Sequence, residues 1–305
     1  MVVIQKTAII GMGALGLLYA DQIAEAKGKD AVCFVMDEER LHKYQGTVFD
    51  CNGERRTFAM RSGTEAEPAD LVILAVKYNG LESALDTMKN CVGEDTVILS
   101  VMNGIRSERD LADRYGWKHV VDTVAQGMDA MKFGSRLRYA KKGELCIGAE
   151  RPEQEESLRK ADEFLTSAGI AHRVEENILH RLWGKFMLNV GVNQTCMAYE
   201  TNFGGALESG SEANRVMISA MLEVMDLANA EGVLLTEADL DEYIQLIGTL
   251  PSDSMPSMRQ DGMARRPSEV ELFAGTVIAM AEKHHLAVPA NRFLYQKIKK
   301  MEAEY

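Results

Sequence analysis

Short apolar runs alternate with amphipathic stretches through the first half of the chain. The runs are four to six residues long and rich in Val, Ile and Leu, which is typical of buried parallel strands. They lie at residues 7–10, 32–36, 71–76 and 97–102, with further short strands expected at 120–124, 136–140 and 144–147. Helical periodicity separates them, for example at residues 15–26 and 81–90. This alternation predicts a doubly wound α/β sheet.

The second half carries a different pattern. From about Glu176 onward the strand signal fades, and helical periodicity fills most of the remaining chain. The periodic stretches are residues 178–197, 211–231, 238–250 and 269–285. We therefore expect an α/β domain over residues 1–175 and an all-helical domain over residues 176–305. The length of 305 residues fits two domains, because it is about twice the usual length of one.

A glycine-rich motif stands between the first predicted strand and the first predicted helix. It reads Gly11-Met12-Gly13-Ala14-Leu15-Gly16. In a Rossmann-type domain such glycines make a tight turn, let the backbone approach a pyrophosphate and allow close helix–strand packing. The following helix N-terminus would receive the phosphates. The motif predicts a dinucleotide site, with a ligand-free glycine turn and a methyltransferase-type nucleotide loop as alternatives.

Three more predicted strands end in polar residues. Asp37 follows the second strand, Lys77 the third, and Asn103 with Gly104 the fourth. Ligands of open α/β sheets bind outside the carboxyl ends of the strands, so we expect these residues at the same rim as the glycines. An acidic residue at the position of Asp37 binds ribose hydroxyls and favours NAD(H), unless it only caps a helix. A solvated lysine and an ordinary Asn-Gly turn are the alternatives for the other two.

Polar side chains recur at helical spacing within an apolar segment of the second half. Lys185, Asn189 and Asn193 are spaced four residues apart, which places them on one stripe of a helix roughly 12 Å long between its ends. Buried amides and a buried lysine need polar partners, and a polar substrate would supply them. Burial would also lower the pKa of the lysine toward the range of a general acid. A lysine that reaches solvent, with amides bonded to neighbouring backbone, is the alternative.

Composition limits the class of ligand. The chain has 34 Lys and Arg against 46 Asp and Glu, and this net charge of −12 argues against general affinity for nucleic acid or anionic membranes. No apolar run is long enough to cross a bilayer. Five scattered cysteines and six histidines show neither disulfide nor metal-ligand spacing. The start of the chain, Met1-Val2-Val3-Ile4, lacks a signal-peptide pattern, so we expect a cytoplasmic protein.

Taken in order, these motifs resemble those of the ketopantoate reductase (2-dehydropantoate 2-reductase) family over essentially the whole chain. The resemblance rests on the glycine loop, the Asn-Gly pair after a strand and the Lys-x-x-x-Asn-x-x-x-Asn helix. It continues in a late Ser257-Met258 pair, with Glu269 twelve residues beyond the serine. The set is specific for the family, although not for one substrate.

The resemblance implies a role for each matched residue. Lys185 matches the proton donor to the ketone oxygen, and Glu269 matches a carboxylate that helps to hold cofactor and substrate. The matched substrate-binding residues are Asn103, Asn189, Asn193 and Ser257. Lys77 and Asn103 match residues beside the nicotinamide half of the cofactor, and Ala130 matches a backbone contact more loosely. The glycine loop from Gly11 to Gly16 and Asp37 complete the expected cofactor-binding set.

Two positions depart from the family pattern. The family's usual NADPH preference relies on an arginine at the end of the second strand, where this chain has Asp37. Arg40 and Lys43 lie close enough in sequence to supply a phosphate site instead, so the resemblance favours NADPH while Asp37 favours NADH. An asparagine of some members aligns with Phe203, and Asn202 is one place off, which leaves contacts on that side undefined.

The sequence therefore predicts an NAD(P)H-dependent oxidoreductase that reduces the C2 ketone of ketopantoate in pantothenate and coenzyme A biosynthesis. Its expected partner is a small 2-keto acid, and a homodimer is left open. Two alternatives stand beside it. One is a family paralogue that reduces another 2- or 3-keto acid, and the other is a non-catalytic nicotinamide-nucleotide sensor.

Overall fold

A computed structural model describes residues 4–305. The chain divides into two compact units, of which the first ends at Ile178 and the second runs from Leu179 to Tyr305. This division lies three residues beyond position 175, where the sequence pattern changes. The Met1–Val3 part of the expected N-terminal pattern lies outside the described residues.

The first unit is built on an eight-stranded sheet with the order β12-β11-β8-β7-β6-β1-β2-β5. Its strands are β1 (Thr7–Ile10), β2 (Val32–Met36), β5 (Ala59–Ser62), β6 (Ala69–Leu74), β7 (Val92–Ser100), β8 (Val120–Met128), β11 (Lys142–Gly148) and β12 (His172–Val174). Neighbours pair in parallel except β8 with β11. After β1 the chain adds β2 and β5 on one side of β1 and then crosses to β6 on the other side of β1. The ends of β1 and β6 thus flank the topological switch point at which doubly wound sheets bind ligands.

Five α-helices accompany this sheet within the described part of the first unit. They are α1 (Ala14–Lys27), α2 (Glu38–Tyr44), α3 (Leu81–Thr87), α4 (Ser107–Tyr115) and α5 (Glu155–Ser167). Alternate residues of β1 enter separate apolar cores, since Ile9 packs on the side of α1 and Ile10 on the side of α3 and α4. Burial of both strand faces explains why the strands appear in the sequence as continuous apolar runs.

A second, four-stranded sheet with the order β4-β3-β10-β9 was not predicted, apart from one of its strands. Its strands are β3 (Phe49–Cys51), β4 (Glu54–Arg56), β9 (Met131–Phe133) and β10 (Arg136–Arg138). Each is three residues long, and β4 consists only of charged residues, so hydrophobic alternation is too short to signal it. The buried carboxylate of Asp21 on α1 receives a hydrogen bond of 2.7 Å from Arg56 Nε, which ties this sheet to the helix.

The regular secondary structure in the described part of the second unit is helical. Its α-helices are α6 (Ile178–Leu188), α7 (Gln194–Ala198), α8 (Phe203–Leu207), α9 (Glu212–Ala230), α10 (Glu237–Gly248), α11 (Ser257–Met263), α12 (Thr276–His284) and α13 (Pro289–Glu302). Two π-helices interrupt the series. The first π-turn, Asn189–Asn193, joins α6 to α7, and the second π-turn, Glu271–Gly275, leads into α12.

The five cysteines are free thiols, four of them buried. Within residues 4–305, no helix combines the length and apolar character needed to cross a membrane. The same residues contain no group of three or more His, Cys, Asp or Glu side chains placed to hold a metal ion.

Candidate active site

The glycine loop follows β1 directly and has the geometry of a dinucleotide-binding turn. Gly11 has a φ of +106°, and a Cβ there would lie 2.5 Å from the carbonyl oxygen of Ala75 beyond β6. A Cβ at Gly16 would overlap the carbonyl oxygen of Gly11, so only glycine lets α1 pack this closely. Gly13 differs, because a Cβ there would meet no neighbour closer than 3.8 Å. Its missing side chain leaves open space that a ligand could use.

The N-terminus of α1 is available to an anion. Gly13 is the N-cap of this helix and offers no side chain to its first amide groups. Unsatisfied N–H groups at a helix N-terminus attract phosphate through hydrogen bonding and the helix dipole. The loop and α1 therefore fit the pyrophosphate of a dinucleotide.

A pocket of about 570 Å³ adjoins the glycine loop in the first unit. Five of the predicted cofactor residues line it, namely Gly11, Met12, Gly13, Asp37 and Lys77. Arg40 and Lys43 line the same pocket, together with the ring of Tyr44. Ala14, Leu15, Gly16, Asn103 and Ala130 are not among its lining residues. The pocket therefore unites the predicted phosphate loop with the residue predicted to contact ribose.

Asp37 lies directly after β2 and caps α2. One carboxylate oxygen accepts a hydrogen bond of 2.8 Å from Arg40 N, and the other lies 3.6 Å from Arg40 Nε. The helix cap considered as an alternative is thus present, and the same carboxylate still lines the pocket. One residue combines both features because the cap occupies only one of its two oxygens.

Lys77 and Asn103 follow adjacent parallel strands, each three residues past the strand end. Lys77 is exposed and accepts a backbone hydrogen bond of 2.8 Å from Gly80 N. Asn103 is half-buried in the loop between β7 and α4. Two buried side-chain hydrogen bonds fix the ends of that loop. Ser100 Oγ donates to Ser107 Oγ at 2.8 Å, and Ser107 Oγ donates to a Glu108 oxygen at 2.9 Å.

Ala130 lies between β8 and β9, where its half-buried side chain packs against the core of the first unit. Nothing in this packing marks it as a cofactor contact.

The predicted Lys-Asn-Asn stripe lies on a helix that changes type along its length. Lys185 is in the last turn of α6, whereas Asn189 and Asn193 begin and end the first π-turn. The expected single α-helix is therefore wrong at this point. A π-turn inserts one extra residue per turn, and such turns are frequent at functional sites.

Two glycines let neighbouring helices approach this segment. A Cβ at Gly191, inside the first π-turn, would overlap the Met221 side chain of α9. A Cβ at Gly184 would overlap the ring and hydroxyl of Tyr243 on α10. Burial raises the pKa of Tyr243, so its phenol stays protonated beside the helix that carries Lys185.

The stripe differs from its expected burial at one position. Asn189 and Asn193 are 7% and 6% exposed, as expected, but Lys185 is only half-buried. Asn189 Nδ2 is buried and has no hydrogen-bond partner within residues 4–305. A buried donor in this state costs about 1–3 kcal/mol, so the position favours an acceptor supplied by a ligand.

Ser257 and Glu269 occupy different settings in the second unit. Ser257 is the exposed first residue of α11. Glu269 is half-buried just before the second π-turn, where its carbonyl oxygen accepts a hydrogen bond of 3.1 Å from Phe273 N. The sequence pattern predicts an ordinary helix here and gives no sign of this π-turn.

Asn202 and Phe203 open α8. The Asn202 side chain caps this helix by accepting a hydrogen bond of 2.9 Å from Gly205 N. Phe203 is 9% exposed, and its N–H donates to Ser254 O at 3.1 Å. Phe203 is thus attached by its backbone to the loop that leads into α11.

Sequence reasoning missed Gln194, the residue immediately after the stripe. Its side chain is fully buried and bonds to both π-turns. An uncharged amide among apolar residues gives no periodic signal of its own, although its place directly after Asn193 was visible.

Comparison with known proteins gives a consistent result along the chain. The family described as "Ketopantoate reductase PanE/ApbA" matches residues 7–151, and its C-terminal counterpart matches residues 177–302. A 2-dehydropantoate 2-reductase of Halobacterium salinarum is 30% identical over 297 residues, covering 95% of this chain and 96% of that protein.

Two solved structures share the fold. D-mandelate dehydrogenase, in a ternary structure with NADH and anilino(oxo)acetate, aligns with a TM-score of 0.85 at 20% identity, covering 98% of this chain and 99% of that one. A dimeric ketopantoate reductase from Staphylococcus aureus aligns with a TM-score of 0.81 at 19% identity, with the same coverage.

Proposed function

The chain belongs to the ketopantoate reductase family of oxidoreductases, and we propose that it reduces the C2 ketone of 2-dehydropantoate with NADH, the reductive step of pantothenate biosynthesis. The observation that carries the proposal is the Lys185–Asn189–Asn193 stripe, with the buried Asn189 amide that lacks a protein acceptor within residues 4–305. A 2-oxo acid offers oxygen acceptors of the required kind.

Residues of the first unit fit a dinucleotide cofactor. The open space at Gly13 and the uncapped start of α1 suit a pyrophosphate, and Asp37 suits an adenosine ribose. A reduced nicotinamide, when bound, supplies the hydride. The chain contributes orientation through the backbone of the glycine loop, and Lys77 and Asn103 are proposed to lie beside the nicotinamide half.

Residues of the second unit supply the groups that handle the keto acid. The Lys185 ammonium donates a hydrogen bond to the ketone oxygen and transfers a proton to it as the hydride reaches C2. The carbonyl π electrons move to oxygen, so that 2-oxo acid, NADH and one proton become 2-hydroxy acid and NAD⁺. Asn189 and Asn193 orient the substrate, Ser257 binds its carboxylate, and Glu269 holds substrate and cofactor in register.

We propose NADH as the preferred cofactor. The Asp37 carboxylate lies in the pocket and would repel a 2′-phosphate, while Arg40 is already within 3.6 Å of that carboxylate. Values of kcat/KM for NADH and NADPH, measured with one keto acid, test this choice. A clear preference for NADPH would show that Arg40 and Lys43 form a phosphate site despite Asp37.

A second substrate is favoured by one residue. Phe203 is apolar and nearly buried at the position where the resemblance places an asparagine in some members. That change suits a 2-oxo acid without the hydroxyl group of 2-dehydropantoate, such as an aryl or branched-chain 2-oxo acid. D-mandelate dehydrogenase, which shares the fold, has been solved with NADH and anilino(oxo)acetate.

A substrate panel tests the function and separates the two candidates. NADH oxidation is followed with 2-dehydropantoate, benzoylformate and 2-oxoisovalerate. The proposal requires the highest kcat/KM with 2-dehydropantoate, and a higher value with benzoylformate or 2-oxoisovalerate would select the second candidate. Tight NADH binding without turnover of any 2-oxo acid would instead support a nucleotide sensor.

We also propose a homodimer, on the analogy of the dimeric Staphylococcus aureus enzyme. Light scattering after size-exclusion chromatography tests this assembly directly. A monomer at micromolar concentration would contradict it.

A further inference from the structure

One side chain bonds to both π-turns of the second unit. Gln194 is fully buried directly after the first π-turn, and its Nε2 donates a hydrogen bond of 2.8 Å to Val190 O within that turn. Its Oε1 accepts a hydrogen bond of 3.0 Å from Ala274 N in the second π-turn. The two turns are therefore joined through a single carboxamide.

The contact with Ala274 explains the second π-turn. In a regular α-helix the Ala274 N–H would donate to a backbone carbonyl four residues earlier. Here it donates to Gln194, while Gly275 N donates to Val270 O at 3.0 Å, five residues earlier. A side chain inserted into the helical ladder is an established cause of helix distortion. Gln194 thus takes part in opening the turn that follows Glu269.

A buried chain of hydrogen bonds fixes the orientation of the Gln194 amide. Gln194 Nε2 also donates to Asn291 Oδ1 at 3.2 Å, and Asn291 Nδ2 donates to Glu223 at 2.8 Å. Glu223 accepts two more hydrogen bonds, of 2.7 and 2.9 Å, from Ala290 N and Asn291 N in the first turn of α13. Because a carboxylate only accepts, Asn291 must direct its NH₂ group toward Glu223 and its oxygen toward Gln194. Gln194 must then direct its own oxygen toward Ala274.

We propose that Gln194 is a positioning residue, which holds the two π-turns so that Asn189, Asn193 and Glu269 meet the keto acid in one arrangement. This inference rests on the proposed function. Gln194 touches no reacting group in it and acts through the backbone of the turns. Because its three hydrogen bonds are buried, no solvent replaces them when the side chain is changed.

The test uses two buried glutamines of one chain. Gln194→Met keeps the length of the side chain and removes all its hydrogen bonds. The matched control is Gln154→Met in the first unit, because Gln154 is also fully buried and donates to Val120 O and Asp122 at 3.0 and 2.9 Å. Both variants should lose stability, which urea unfolding measures.

Only Gln194→Met should change the kinetics toward the keto acid. We expect kcat/KM for the 2-oxo acid to fall on the order of 10- to 100-fold, as displacements of about 1 Å do. The control should keep wild-type kcat/KM. Equal kinetic constants in the two variants would overturn the proposal and leave Gln194 with a role in stability alone.

A second variant guards against a failure of Gln194→Met to fold. Gln194→Glu retains an acceptor for Ala274 N, and its protonated form can also donate to Val190 O. Its KM for the keto acid should therefore approach the wild-type value at low pH and rise as pH increases, relative to wild type at each pH. A KM ratio that does not change with pH would contradict the inference.

Hydrogen–deuterium exchange separates this inference from the proposed function. In Gln194→Met the amides of both π-turns should exchange faster than in Gln154→Met. If the wild-type protein reduced no 2-oxo acid, the proposed function would fail, and exchange alone would decide whether Gln194 holds the turns. Unchanged exchange in both turns would overturn its positioning role.

Discussion

The two units present their proposed ligand contacts by different means. In the first unit the proposed contacts are mainly backbone groups, because Gly11, Gly13 and Gly16 shape a turn and leave α1 without a side-chain cap. In the second unit the proposed contacts are side chains on a helix that a π-turn interrupts. A backbone site depends on local conformation, whereas a side-chain site depends on everything that packs around the helix.

Gln154 and Gln194 show the same contrast between the two units. Gln154 joins Asp122 to the turn that precedes α5, and it does not line the proposed cofactor pocket. Gln194 joins the turn that carries Asn189 and Asn193 to the turn that follows Glu269. Equal burial therefore does not imply an equal role.

The largest effect is expected at Lys185. Replacing it in Lys185→Met removes the proposed proton donor and should lower kcat by about 10²- to 10⁴-fold at saturating NADH and keto acid. The matched control is Lys160→Met on α5, since Lys160 is a buried helical lysine paired with Asp95 at 3.5 Å. The control should lose stability and keep kcat. Near-normal turnover by Lys185→Met would exclude the proposed role.

Asp122 should control the stability of the first unit without affecting turnover. Burial raises the pKa of this carboxyl to about 6 from 3.8, so folding favours its protonated form. Its contribution to stability is complete below about pH 4 and is lost as pH rises through 6. Asp122→Asn mimics the protonated form, and its free energy of unfolding should exceed that of wild type by up to about 3 kcal/mol at pH 8.

Urea unfolding of Asp122→Asn and wild type at pH 4 and pH 8 measures this difference. The gain should be small at pH 4, and kcat of the variant should equal that of wild type at each pH. An equal gain at both would mean that ionisation of Asp122 is not its source.

Asn189→Leu should separate stability from activity at one position of the second unit. The leucine removes a buried donor that has no protein acceptor within residues 4–305, so we expect the free energy of unfolding to rise by about 1 kcal/mol. The KM for the keto acid should rise on the order of tenfold, which corresponds to about 1.4 kcal/mol of lost binding. A stabilised variant with an unchanged KM would mean that Asn189 does not bind the keto acid.

The smallest effect concerns cofactor choice. Asp37→Asn preserves the cap of α2, because asparagine caps helices as well as aspartate does, and removes the charge from the pocket. The ratio of kcat/KM for NADPH to that for NADH should rise on the order of tenfold. Glu38→Gln is the control, since Glu38 is exposed and does not line the pocket. The same shift in both variants would point to overall charge.

The glycine loop could be predicted from sequence because its requirements are local. A positive φ at Gly11 and the overlap that excludes a Cβ at Gly16 arise within one strand-turn-helix segment. The strands could be predicted for the same reason, although β6 ends at Leu74 and β7 at Ser100, two residues earlier than their apolar runs.

The π-turns could not be predicted in this way. A spacing of four residues between Lys185, Asn189 and Asn193 fits an α-helix and does not reveal the extra residue. What shapes these turns is tertiary, including the approach of Met221 to Gly191 and the hydrogen bond from Ala274 to Gln194. The half-buried state of Lys185 likewise depends on neighbours that its own helix does not specify.

In the proposed reaction a hydride passes from the nicotinamide to C2 of a 2-oxo acid. The most direct measurement uses NADH carrying deuterium at both C4 positions, with 2-dehydropantoate as substrate and mass spectrometry and NMR of the product. Hydride transfer to C2 should give pantoate with one deuterium, located at C2, and far less of it with Lys185→Met. Failure to form pantoate, or pantoate without deuterium at C2, would contradict it.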